Sequence, residues 1–320
     1  MISLARDKKK KIFLICFSLF YVALIVVASF YDLEISKAMA DVKAGKYYSD
    51  NMFARFFEVA GELPVYFVSS FAVGVLASNI PRGLKKGIGI ALQFLAMFVL
   101  FGILLFCSFR VFKNISEMTE SFSLKDTLII LSEFLLAGLL FVIMIFSVHS
   151  LEEKTRKSLL KFAFIAVLTA LLSQILVQGI KLFWGRARYR TLAFANDFDM
   201  YSPWYIPQGK KYLMEKYSYL ALGKDAYCSF PSGHSCSVAT LVALFAIPVG
   251  NTEGGKVKKI FIYTVCSVAI IIVMISRTIM GAHYLSDVLF GTGFTLLSYA
   301  FANFIFKKTV AKRGRMKNEP

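Results

Sequence analysis

Three short polar stretches carry residues able to do chemistry: KLFWGRARYR at 181–190, SFPSGHSCSV at 229–238 and SRTIMGAHYLSD at 276–287. In the first, Lys181 and Arg188 are seven residues apart, two helical turns, so both project from one face if the helix persists through Gly185. A cation beside a planar guanidinium fork suits a phosphoryl group, because the arginine binds two oxygens at once. The plainer alternative is that Lys181, Arg186, Arg188 and Arg190 are basic residues at a span end, reaching toward lipid headgroups.

In the second stretch Pro231 suits the first turn of a helix, and Ser232 and Gly233 leave backbone N–H groups approachable. A helix N-terminus offers unpaired donors and a positive dipole end to an anion. His234, beside that site, could hand a proton to a leaving oxygen. A capped helix start with a surface histidine is the competing reading. In the third stretch His283 and Asp287 are four residues apart, neighbours on one helix face. An aspartate accepting the Nδ1 proton fixes the tautomer and leaves Nε2 to attack. Arg277 supplies a third cation, and Gly281 is the expected bend that brings it back. The alternative is a surface His/Asp pair worth a few tenths of a kcal/mol. The third histidine, His149, ends a span at the other face and receives no role.

The elements that must position these residues are membrane spans. Hydrophobic residues make up 57% of the 320 and charged residues only 18%, and the mean hydropathy is +0.63, which excludes an ordinary soluble domain. Apolar runs recur at 12–30, 64–80, 88–112, 127–148, 159–183, 234–250, 259–280 and 285–306, each near the length a helix needs to cross a bilayer. With no water in the hydrocarbon, helix is the default, so the expectation is an all-α polytopic bundle of about eight transmembrane helices. The net charge of +17 resides in short runs between spans, as orientation signals do, which argues against nucleic acid. With eight spans, one face holds 21 of the 37 lysines and arginines, which puts both termini in the cytoplasm. The segment 31–63 on the opposite face has four basic and six acidic residues, in agreement, and its stretch NMFARFFEVAGELPVYF could lie along the membrane surface. All three polar clusters then converge on the extracytoplasmic face.

No internal repeat divides the chain. It reads as one integral membrane domain, 1–320, with N-terminal spans over 1–150 and the chemistry-bearing part over 159–306. The basic N-terminus followed by a long apolar run reads as a retained signal anchor. Cys228 and Cys236 flank the second cluster, but reduced thiols are the expectation for all five cysteines.

Taken together, the clusters resemble the signature of the type 2 phosphatidic acid phosphatase family: Lys, six residues, Arg-Pro; then Pro-Ser-Gly-His; then Ser-Arg, five residues, His, three residues, Asp. Order, spacing and identities hold from Lys181 to Asp287, except that Tyr189 stands at the proline position. The resemblance covers roughly residues 160–306 and implies a six-helix core, with about two further spans at the N-terminus. It implies metal-independent hydrolysis of a lipid phosphate or pyrophosphate through a phosphohistidine. His283 would be the nucleophile, Asp287 its orienting group and His234 the acid. Lys181, Arg188, Ser232, Gly233 and Arg277 would bind the phosphate, with neither metal nor cofactor. The setting it implies is a bacterial inner (cell) membrane, and the oligomeric state is left open.

Candidate lipids are undecaprenyl pyrophosphate, phosphatidylglycerophosphate, phosphatidic acid and a lipid A phosphate. The Tyr- and Trp-rich insert 189–230 reads equally as a headgroup-selecting lid or an interfacial aromatic belt. A transporter or flippase would place charges at mid-membrane rather than at span ends. A lipid phosphotransferase would use the same phosphohistidine and differ only in acceptor.

Overall fold

The computed structural model describes residues 2–80, 86–118, 126–250 and 252–316. The basic connection 81–85 and the tail 317–320, both used in the orientation reading, lie outside the described residues. Those described form α-helices joined by loops and short 3₁₀ turns: α1 (Ile2–Met39), α2 (Met52–Ala60), α3 (Leu63–Ser78), α4 (Lys86–Met118), α5 (Asp126–His149), α6 (Glu153–Ser158), α7 (Leu160–Phe183), α8 (Tyr189–Ala195), α9 (Lys210–Lys216), α10 (Gly233–Ala239), α11 (Glu253–Ile279) and α12 (Leu285–Met316). The protein is an all-α polytopic helical bundle, with seven helical stretches among the described residues long and apolar enough to cross a membrane.

The apolar run at 234–250 is the one that does not become a long helix. It forms α10 and a 3₁₀ continuation over Thr240–Ala246, and then stops. The cause is Pro248, which disfavours helical backbone in the residue before it. Ile247 is accordingly extended, at φ −63° and ψ 130°. In the other direction α1 outruns its apolar stretch and carries Asp32 and Ser36 within the helix, both fully buried.

The chain divides into two compact units, each assembled from separated segments. The first comprises Met1–Asn51, Ile180–Ser232 and Arg277–Phe290. Its interior includes Leu192, Met200, Leu213, Ala226 and Tyr227, with Leu33 and Tyr47 of the N-terminal segment against them. The insert 189–230 is therefore folded around its own apolar core. The second unit comprises Met52–Gly179, Gly233–Ser276 and Gly291–Pro320. There Ala72 and Val75 of α3 share one buried cluster with Phe162, Ala163 and Ala166 of α7 and with Ala243, Ala246 and Ala302. Small side chains let helix backbones approach closely, the main source of association where lipid removes the hydrophobic drive between helices. From Met52 on, the stretch NMFARFFEVAGELPVYF belongs to this unit as α2, a break at Gly61, and the start of α3.

Candidate active site

In the first unit α7 ends at Phe183, so Lys181 and Arg188 do not share one continuous helix as the seven-residue spacing suggests. Gly185 adopts φ +65°, and a Cβ there would stand 2.3 Å from backbone atoms of Gly209 and Lys210. Only glycine permits both the left-handed conformation and that approach. The chain then runs extended beside 226–229: Arg186 N donates to the Tyr227 carbonyl (2.9 Å), Arg188 N to Ala226 (2.9 Å), and Ser229 N to Arg186 (3.0 Å). This bridge, rather than helical periodicity, carries the first cluster to the second. Arg188 is then fixed by Nε donating to the Asp225 carbonyl (2.6 Å) and Nη1 to that of Ala282 (3.3 Å). Lys181 Nζ donates to the Cys228 carbonyl at 3.3 Å.

Tyr189 occupies the first position of α8. Proline is favoured there because the first helical N–H has no intrahelical acceptor and its fixed φ suits the helix. A tyrosine can take the same conformation, and its ring packs in a buried cluster with Ala193 and Tyr284.

The third cluster turns at Gly281, φ +62°, whose absent Cβ would meet Val42 Cγ2 at 2.8 Å. The turn folds back on α11, with the amides of Ala282 and His283 donating to the Arg277 carbonyl at 3.2 and 3.3 Å. Arg277 itself is buried, with Nη1 3.4 Å from Met280 Sδ. His283 precedes α12, so it is not on a helix face with Asp287, and the expected hydrogen bond between them is replaced. His283 Nδ1 lies 2.7 Å from the Ser229 carbonyl and 3.7 Å from Asp287 Oδ2. A carbonyl only accepts, so Nδ1 carries the proton and Nε2 the lone pair in the neutral ring. Asp287 accepts instead from Ser229 Oγ (2.5 Å) and the Tyr284 amide (2.9 Å) through Oδ2, and from Arg186 Nη1 (2.6 Å) through Oδ1. Ser232 N donates to the Asp287 carbonyl at 2.9 Å. Burial foremost, then the charges of Arg188 and Lys181, pushes the His283 imidazole well below its usual range, against the opposing pull of Asp287.

Of the residues singled out from sequence, Lys181, Arg188, Ser232, Arg277, His283 and Asp287 thus belong to one unit, while Gly233 and His234 belong to the other. Gly233 opens α10, so Pro231 stands outside the helix rather than in its first turn. His234 Nε2 is 2.9 Å from the Glu58 carbonyl and 3.4 Å from Glu62 Oε1, and Glu62 is gripped by Arg110 through Nε (2.8 Å) and Nη2 (2.6 Å). The five cysteines are free thiols.

Sequence reasoning passed over Asp32, Glu62, Arg110 and Ser229. An aspartate within the first membrane helix is a signal in itself, since ionisable residues in spans are costly and generally functional. It went unread because the apolar run was closed at residue 30.

Comparison with known families matches residues 162–313 to the PAP2 superfamily. Neither the curated proteins nor the solved structures gave a match.

Proposed function

We propose that the chain is a phosphoester hydrolase that removes phosphate from a membrane lipid at the extracytoplasmic face; the match of residues 162–313 to the PAP2 superfamily, a family of phosphatases, supports this reading. The observation that carries the mechanism is the His283 ring: Nδ1 tied to the Ser229 carbonyl, Nε2 holding the lone pair, and a depressed basicity that keeps the ring neutral. That is the state a nitrogen nucleophile needs.

In this reading the Nε2 lone pair attacks phosphorus in line, the bond from phosphorus to the lipid oxygen breaks, and that oxygen takes a proton from charged His234. Glu62 offers the charged ring a counter-ion. Water then attacks the phosphohistidine while His234 takes its proton. The P–N bond breaks, phosphate leaves and His283 regains its electron pair. Lys181, Arg188 and Arg277, with Ser232 and the Gly233 amide, bind the oxygens whose charge grows toward the transition state. A site at the ends of apolar helices suits a substrate that arrives through the bilayer. Undecaprenyl pyrophosphate, phosphatidylglycerophosphate, phosphatidic acid and a lipid A phosphate all present the required group.

The test is release of inorganic phosphate from these four lipids by the purified protein in detergent, with chelator present, alongside His283→Ala. Chelator-resistant release lost in the variant is expected, and the panel ranks the substrates. No release from any lipid, or equal release by the variant, would overturn the reading. Phosphate appearing on a second lipid instead of in solution would make the protein a phosphotransferase.

A further inference from the structure

We propose that Asp32, together with Arg186, positions the Asp287–Ser229–His283 assembly, so that the first membrane helix completes a site whose other parts lie within the family-matched half. The inference rests on the proposed role of His283. Asp32 lies outside residues 162–313, on α1, and is fully buried, as are Ser286 and Asp287, with Arg186 1% exposed.

The contacts form one connected chain. Asp32 Oδ1 accepts from the Ser286 amide at 2.9 Å, and Oδ2 accepts from Ser286 Oγ and from Arg186 Nη2, the latter at 2.9 Å. Arg186 Nη1 donates to Asp287 Oδ1 at 2.6 Å and to Ser286 Oγ at 2.9 Å, while Nε donates to the Ser202 carbonyl at 2.8 Å. Its guanidinium lies over the Tyr284 ring, 4.0 Å from the centroid. All three nitrogens are thus engaged within the protein, and Arg186 has no fork left to offer a phosphate. In this it differs from Arg188, two residues on, whose side chain donates to the backbone carbonyls of Asp225 and Ala282.

Asp32 also satisfies one of the amides left unpaired at the start of α12, since Ser286 is its second residue, and Asp287, the third, accepts from the Tyr284 amide ahead of the helix. Two carboxylates from different parts of the chain therefore fix one helix start, and the guanidinium between them sets where Asp287 points. Asp287 then holds the Ser229 hydroxyl, and the Ser229 carbonyl holds His283 Nδ1. Neutralising Asp32 releases one side of Arg186 without touching the phosphate-binding cations. The expected effect is on attack rather than on binding.

The measurement is kcat and KM for phosphatidic acid in detergent micelles, or for whichever lipid the panel ranks first. Asp32→Asn, Arg186→Lys, Asp287→Asn and the Asp32→Asn/Asp287→Asn double variant are compared, each checked for folding by size-exclusion profile and Tm. Partners that orient metal-bound histidines are worth about ten- to a hundredfold, and the same scale is the expectation for an oriented histidine nucleophile. Asp32→Asn and Arg186→Lys are expected to lower kcat by about that factor with KM within about threefold. In the Asp287→Asn background the Asp32 change should cost little more, because its effect passes through Asp287. Unchanged kcat in a folded Asp32→Asn protein, or equal losses with and without Asp287, would overturn the inference. Should Asp32→Asn not fold, Arg186→Lys decides: it keeps the charge but lacks the fork that spans both carboxylates, so wild-type kcat there contradicts the proposal. A His283→Ala protein that still releases phosphate would instead remove the nucleophile reading beneath it.

Discussion

Burial is the largest influence on His283, and it opposes the imidazolium. The folded-state affinity for a proton lies well below that of the unfolded chain, whose ordinary value is 6.5. Above 6.5 both states are neutral and the associated stability is fully present; as pH falls from there through the folded value, the unfolded chain takes up the proton first and stability is lost. The fall in Tm between pH 7.5 and 5.5 should therefore be steeper in wild type than in His283→Gln, and a parallel fall would show that His283 titrates normally. NMR titration of the ring gives the same sign: His283 should stay neutral well below pH 6.5, and Lys181→Met should raise its midpoint. The proposed phosphate chemistry was suggested in the sequence by the types and spacing of Lys181, Arg188, His283 and Asp287. The acceptor for Nδ1 was not, because Ser229 contributes a backbone carbonyl, which every residue carries and no pattern distinguishes.

At the scale of elements, the positions that bring the clusters together are turns. Gly185→Ala combines a left-handed φ with a Cβ 2.3 Å from neighbouring backbone, and should cost at least about 2 kcal/mol, read as a several-degree drop in Tm. An unchanged Tm would mean that the 184–188 segment can follow another path. Around His234, Arg110→Ala strips Glu62 of a two-pronged partner in a mostly buried setting. The expected loss is about 1–3 kcal/mol, and Arg110→Lys should recover only part of it, as thermal melts can establish. The long helices were legible from apolar runs. The end of the helix at Ile247 was legible too, from Pro248, yet run length alone read through it. The carriage of Arg188 by a backbone bridge after α7 was not, since the pairing partner at 226–229 is some forty residues away and no local propensity encodes it.

For the whole molecule, seven long apolar helical stretches among the described residues make an integral membrane protein, and the extracytoplasmic site is the proposal that follows from the lysine and arginine distribution if the short apolar segment Gly233–Ala246 supplies the eighth crossing. Lys211, on the highly exposed surface of α9, provides a reporter for that face. A cysteine at Lys211 in a background lacking the native cysteines should react with an impermeant maleimide on intact cells, and one at Lys154 should react only after lysis. The reverse pattern would invert the topology. The claim on which the rest depends is that His283 bonds covalently to phosphorus. Rapid acid-free quenching during turnover of a radiolabelled lipid phosphate should trap an acid-labile, base-stable phosphoryl group on the wild-type chain and none on His283→Ala. Turnover by wild type without trapped label, or label persisting on His283→Ala, would contradict the account.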